Sequence, residues 1–187
     1  MTKKQMILLT GGSGFIGTNM VRLLLNSGKY RVVNLDALTY AANPSSLEDL
    51  NENPDYEFVH GNISDRELIS SLYEKYRPAG VMHLAAESHV DRSIVSADDF
   101  VQTNVVGTYT MLETARAYWN GLADDEKKSF RFLHVSTDEV FGSLGPTGYF
   151  SEETPYAPNS PYSASKASSD HFVRAYYHTY GLPTVIT

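Results

Sequence analysis

Short apolar runs and amphipathic stretches alternate along the whole chain. Met6–Thr10 reads as a buried strand, and residues from about Ile16 to Asn26 as a helix with Met20, Leu23 and Leu24 on one stripe and Gly28 just past its end. Arg31–Leu35, Glu57–His60, Val81–Ala85 and Phe130–Ser136 have the aliphatic and aromatic content of four further strands. Ser64 and Glu67 predict a capping box for a helix through about Tyr76, with Pro78 and Gly80 as its stop. Ser96 is expected to open a long helix to about Trp119, and Pro161 another that Gly181 ends, with an irregular segment at 137–160. Strands with almost continuously apolar cores, separated by helices, predict a parallel sheet covered on both faces, a doubly wound α/β fold. Pro183–Thr187 reads as the opening of a sixth strand. From it comes the expectation that residues 1–187 are the N-terminal portion of a longer polypeptide.

Composition narrows the chemistry. The 187 residues suit one domain, and 42% hydrophobic with 20% charged residues is an ordinary globular balance. A formal net charge of −7 argues against non-specific nucleic-acid binding and against adhesion to anionic membranes. The absence of cysteine excludes disulfides, thiolate zinc sites, iron–sulfur clusters and cysteine nucleophiles. The start, Met1-Thr2-Lys3-Lys4-Gln5, is basic, but the apolar run after it is too short for a signal peptide or a membrane span, so a cytoplasmic protein is expected. His60, His83, His89 and His134 show no zinc-helix spacing and read as structural or loop histidines, with no metal.

The first strand runs into Gly11-Gly12-Ser13-Gly14-Phe15-Ile16-Gly17, which opens the first helix. Glycines there permit a tight turn, close approach of a pyrophosphate to the backbone, and close packing of helix on strand. Exposed N–H groups and the helix dipole can then hold negative charge without many lysines. Asp36, 19 residues beyond Gly17, stands where a carboxylate hydrogen-bonds the adenosine ribose hydroxyls and repels a 2′-phosphate. The pattern predicts a Rossmann-type domain that prefers NAD to NADP.

Two further clusters carry chemistry. Tyr162 and Lys166 are four apart, on one face of a helix, and Lys166 with the positive nicotinamide ring is expected to favour the phenolate of Tyr162 as a base. Thr137, Asp138 and Glu139 follow the fifth strand, at the sheet edge where ligands bind. Thr137 offers a hydroxyl, and the two adjacent carboxyls could divide into an acid and a base.

Thr10–Gly17, His83–Ser93, Ser136–Gly142 and Tyr162–Lys166 together resemble the extended short-chain dehydrogenases/reductases, and more narrowly the dTDP-glucose 4,6-dehydratases. The resemblance spans essentially the whole chain, and Thr137-Asp138-Glu139 is its most telling part. It implies that dTDP-glucose becomes dTDP-4-keto-6-deoxyglucose, supplying deoxysugar biosynthesis. Tyr162 would take the proton of the sugar C4 hydroxyl while hydride passes to NAD. Glu139 would remove the C5 proton, Asp138 would protonate the departing C6 hydroxyl, and the hydride would return to C6. The resemblance assigns Thr137 and Ser88 to the sugar. It assigns Phe15, Ile16, Asp36, Leu38, Thr39, Ile63, Leu84, Ala85, Ala86, Ser88, Thr103, Tyr162 and Lys166 to the cofactor, beside Gly11, Gly14 and Gly17. Where the family has Gly-Asp-Ile, this chain has Gly61-Asn62-Ile63, and the Asn62 amide oxygen can still accept from the adenine amine. A homodimer is implied, since members pair through the helices that here carry Tyr109, Trp119, Phe172, Tyr176 and Tyr177, although each of these aromatics could equally be core. Two alternatives stay open: a UDP-sugar 4-epimerase, which needs Tyr162 and NAD but no acid–base pair, and a non-catalytic NAD-binding module.

Overall fold

Alternation along β1 (Gln5–Thr10) sends Leu8 to one face of a sheet and Ile7 and Leu9 to the other, and all three are buried. The computed structural model describes residues 4–187, so Met1, Thr2 and Lys3 of the basic start lie outside the described residues. The sheet is completed by β2 (Tyr30–Asp36), β3 (Tyr56–His60), β4 (Gly80–His83), β5 (Arg131–His134) and β6 (Thr184–Ile186). All pairings are parallel and the order is β3-β2-β1-β4-β5-β6. Helix α1 (Phe15–Asn26) and a 3-10 turn at Pro44–Leu50 bring Val21, Leu24 and Leu47 to one face. On the other, α2 (Arg66–Tyr76), α5 (Thr108–Asn120) and α7 (Pro161–Tyr180) bring Ile69, Met111, Leu112 and Val173. This is the expected Rossmann-like α/β sheet. The strand order reverses between β1 and β4, and the carboxyl ends of those strands bound a crevice.

Several local expectations need correction. The cap of α2 is Asp65, whose carboxylate accepts from the Leu68 N–H at 3.0 Å, and not Ser64 in a box with Glu67. Ser64 Oγ instead donates to the Gln102 carbonyl at 3.5 Å. The helix stops at Arg77, a left-handed residue ahead of Pro78. Ser96 does not open the long helix. It is an extended break after a short helix, α3 (Val90–Val95). The helix restarts as α4 (Asp98–Phe100), widens into π-helical turns at Val101–Gly107 and continues as α5. A further short helix, α6 (Asp124–Ser129), precedes β5. By contrast α7 starts and stops as expected: Ser160 accepts from the Ser163 N–H at 3.0 Å, Pro161 sits in the first turn, and Gly181 closes the helix at φ +73°. The β4 and β5 ladders end at His83 and His134, sooner than expected, because the residues after them leave the sheet to line the crevice. No helix among the described residues is long and apolar enough to cross a membrane.

Candidate active site

The glycine turn is set by the end of β2. Gly11 N–H donates to the Leu35 carbonyl at 2.9 Å, Gly12 N–H to Asn34 Oδ1 at 2.9 Å, and Ser13 N–H to Asp36 Oδ2 at 2.9 Å. Gly11 has φ +75°, and a Cβ there would lie 2.6 Å from the Ala85 nitrogen; at Gly17 it would lie 2.0 Å from the Gly11 carbonyl oxygen. The fold itself demands both glycines. Gly14 differs: a Cβ would meet nothing closer than the Gly11 oxygen at 3.4 Å, an ordinary contact. Gly14 faces the crevice as the N-cap of α1, with no side chain capping the helix and no acidic residue in its first turn. Free first-turn N–H groups beside a glycine the fold does not need fit a phosphate that approaches the backbone.

A cavity of about 430 Å³ opens from this turn. Of the residues expected at a cofactor, Gly11, Gly14, Phe15, Ile16, Gly17, Asp36, Thr39, Asn62, Ile63, Leu84, Ala85, Ala86, Ser88 and Thr103 line it. Leu38, Tyr162 and Lys166 do not. Leu38 instead adopts a left-handed backbone at φ +51°, and its N–H donates to Asp36 Oδ1 at 2.8 Å. Both Asp36 oxygens thus hold backbone N–H groups, and each keeps a lone pair for a hydroxyl in the crevice. Asn62 Oδ1 accepts from the Ser64 N–H at 2.8 Å in the same manner.

A second hollow, lined by Thr137, Asp138, Phe141, Tyr156 and Asp170 among others, adjoins the first, and Val135 lines both. The catalytic candidates gather near this junction. Thr137 caps a 3-10 turn at Asp138–Phe141, its hydroxyl accepting from the Glu139 N–H at 3.3 Å. Tyr162, on the first turn of α7, is buried, and its ring packs edge-on to Phe100 at 6.3 Å. Its N–H donates to Ser93 Oγ at 3.1 Å. Burial raises the phenol above its ordinary pKa; the Thr137 hydroxyl beside it pulls the other way, and Glu139, Asp138 and Asp170 add to the rise. Lys166 Nζ donates to the Val135 carbonyl at 2.7 Å. Burial lowers the Lys166 ammonium to about 8, against an opposing pull from Asp170. Asp138 is exposed while Glu139 is half-buried, so the two neighbouring carboxyls occupy different surroundings.

With this geometry described, comparison with known proteins is decisive on kinship. A family model described as GDP-mannose 4,6 dehydratase matches residues 8–187. The chain belongs to that family. It is homologous to dTDP-glucose 4,6-dehydratases; one from Xanthomonas campestris pv. campestris is 59% identical over 180 residues, which are 96% of this chain and 51% of that protein. The crystal structure of dTDP-glucose 4,6-dehydratase from Bacillus anthracis in complex with NAD superposes with a TM-score of 0.84 at 44% identity, covering 97% of this chain and 53% of that one. UDP-glucose 4-epimerase from Thermus thermophilus, also in complex with NAD, gives 0.83 at 28% identity, covering 97% and 53%. The chain spans about half the length of the relatives it matches.

This member of the dehydratase family also holds a buried polar network that sequence reasoning missed. Asp170, 1% exposed, accepts from Ser136 Oγ and from Tyr156 OH, the latter at 3.0 Å. His134 Nε2 lies 3.2 Å from its other oxygen without the alignment of a hydrogen bond. Burial lowers the His134 pKa, and raises Tyr156 to about 12 with help from Asp170. His83 is fixed between Thr10 Oγ1 at 2.7 Å and Thr108 Oγ1 at 3.0 Å, so both histidines are structural. Asn104, inside the π-helical turns, bonds the Glu87 N–H and carbonyl at 2.9 Å each and donates to Ser165 Oγ at 2.9 Å. The signal for Asn104 and Asp170 was a polar residue on the apolar face of a helix, which has no meaning until the buried partners are known. Of the paired-helix aromatics, Tyr176 is buried in the core and Trp119 packs against it, whereas Tyr109, Phe172 and Tyr177 are exposed.

Proposed function

We propose that residues 1–187 form the cofactor-binding and catalytic half of a cytoplasmic nucleotide-sugar 4,6-dehydratase acting on dTDP-glucose, with NAD as its cofactor and a homodimer as its assembly. The observation that carries this reading is the grouping of Thr137, Asp138 and Glu139 near Tyr162, beside a crevice that opens from the N-terminus of α1, which no side chain caps. Gly14 and the first turn of α1 would hold the pyrophosphate and Asp36 the adenosine ribose. Bound NAD would supply a reversible hydride acceptor for the sugar. Burial and carboxylate neighbours raise the Tyr162 phenol, so positive charge beside it would be needed to make it a base. It would then take the C4 hydroxyl proton, with the Thr137 hydroxyl holding the same oxygen. Glu139 would remove the C5 proton made acidic by the 4-keto group and give a proton back to C5 as hydride reaches C6. Asp138, open to solvent, would protonate the departing C6 hydroxyl, so that the net change is loss of water.

A second reading, a sugar-nucleotide 4-epimerase, draws on the fold likeness to the Thermus enzyme. It leaves Asp138 and Glu139 without a task. The test is turnover of dTDP-glucose, read as a 4-keto-6-deoxy product by ultraviolet absorbance, in the unmutated protein and in D138N and E139Q. A dehydratase loses product formation in both variants; an epimerase keeps full turnover and makes no such product. A full-length protein that binds NAD and turns over neither dTDP-glucose nor a UDP-sugar is a binding module.

A further inference from the structure

Under the NAD reading, the cofactor must survive an unusual cycle. A dehydratase of this kind reduces its cofactor early and reoxidises it late, so a reduced dinucleotide that escapes between the two steps ends the reaction. The glycine turn and Asp36 grip one end of the crevice. Residues 37–43, which follow Asp36, supply Thr39, Ala41 and Ala42 to the cavity, and the loop after β4 supplies Glu87, Ser88 and His89 opposite them.

The ends of the 37–43 loop are tied by backbone bonds: Leu38 N–H to Asp36, and Asn43 N–H to the Ser13 carbonyl at 2.8 Å. Its middle is tied by one side chain. Tyr40 OH donates to Glu87 Oε2 at 2.8 Å, across the cavity mouth. The Arg92 guanidinium lies 3.7 Å from the centre of the Tyr40 ring, and His89 packs at 5.5 Å on a tilted plane. Glu87 is a fixed post, since Asn104 holds its backbone N–H and carbonyl together. Tyr40 itself is 44% exposed and belongs to neither hydrophobic core. A tyrosine in that position contributes little to folding, yet it joins the two banks of the crevice.

We propose that Tyr40, Glu87 and Arg92 are positioning residues that clasp the 37–43 loop over the cofactor cavity and thereby set how slowly the dinucleotide leaves. The inference rests on the NAD reading. The clasp acts on the exit path and not on the phosphate cradle, so its loss accelerates dissociation.

The experiment measures NADH dissociation by stopped-flow fluorescence, with excess NAD as the displacing ligand, in the unmutated chain and in Y40F, E87A and the double variant. Each single change removes one hydrogen bond to a carboxylate at a part-exposed site and is expected to speed dissociation by roughly 5- to 20-fold. The double variant should be no faster than either single one, because both remove the same contact. Melting temperature should hold within about 2 °C in Y40F, since the lost bond lies outside the core. Dissociation within twofold of the unmutated chain in both single variants overturns the clasp, as does an additive double variant. An unmutated chain that binds neither NADH nor NAD overturns the cofactor reading, and the clasp with it; binding with unmoved dissociation overturns the clasp alone.

Discussion

Lys166 Nζ donates to the carbonyl oxygen of Val135 at 2.7 Å, so a buried ammonium on α7 holds the strand end that turns into Ser136 and Thr137. One contact therefore joins the helix that carries Tyr162 to the loop that carries Thr137, Asp138 and Glu139. Its cost is a charge 4% exposed, and that cost can be read by titration.

The Lys166 ammonium is lowered to about 8 in the folded chain, from an ordinary value of 10.5. Below pH 8 folding must bury the charged form; above about 10.5 the unfolded chain is neutral too. The contribution of Lys166 to stability is thus lost as pH falls through 8 and is recovered as pH rises to 10.5. In urea titrations, K166M should gain on the unmutated chain at neutral pH relative to pH 10.5, by about 3 kcal/mol across the window. A difference that is flat with pH would contradict the burial of a charged amine.

Gly14 and Gly17 should separate binding from folding. G14A meets no clash and should lower the melting temperature by no more than a few degrees, about 1 kcal/mol for an altered N-cap. It should nonetheless weaken NAD binding at least tenfold, measured by calorimetry, because the methyl occupies the approach to the helix N-terminus. G17A drives a methyl against the Gly11 oxygen and should unfold or severely destabilise the chain.

Asp36 holds two backbone N–H groups and faces the cavity. D36A should weaken NAD binding by roughly 10- to 100-fold through lost hydrogen bonds to a charged acceptor. Because the repelling carboxylate is gone, NADP should lose less, and the ratio of the two affinities, from parallel calorimetric titrations, should move toward one.

Asp170 is the centre of the buried network. D170N replaces a carboxylate that Ser136 and Tyr156 both donate to, and should cost about 1–3 kcal/mol in urea denaturation at neutral pH. Y156F removes one donor and should cost about 1 kcal/mol or less. The Tyr156 phenol, held near 12 by burial and by Asp170, should titrate at a lower pH in D170N, followed by its ultraviolet difference spectrum.

The parallel sheet was legible because strand cores such as Met6–Leu9 are apolar on both faces, a pattern that helices on each side cover. Gly11–Gly17 and Asp36 were legible because backbone geometry restricts which residues can stand there. The short helices α3 and α6 were not: six residues carry too little periodicity to distinguish a helix from a polar loop. The Ser64 cap failed because two capping residues are adjacent, and only the path of the chain into α2 selects Asp65. The Lys166–Val135 contact was not legible either, because i, i+4 spacing fixes the helix face but not where a flexible lysine ends. The Tyr40–Glu87 bond links residues 47 apart and leaves no local pattern to read.

The sheet ends at β6, whose three residues pair with β5 alone and leave Val185 and Ile186 substantially exposed. Backbone donors and acceptors along that rim form a template for any extended segment, including another molecule's rim.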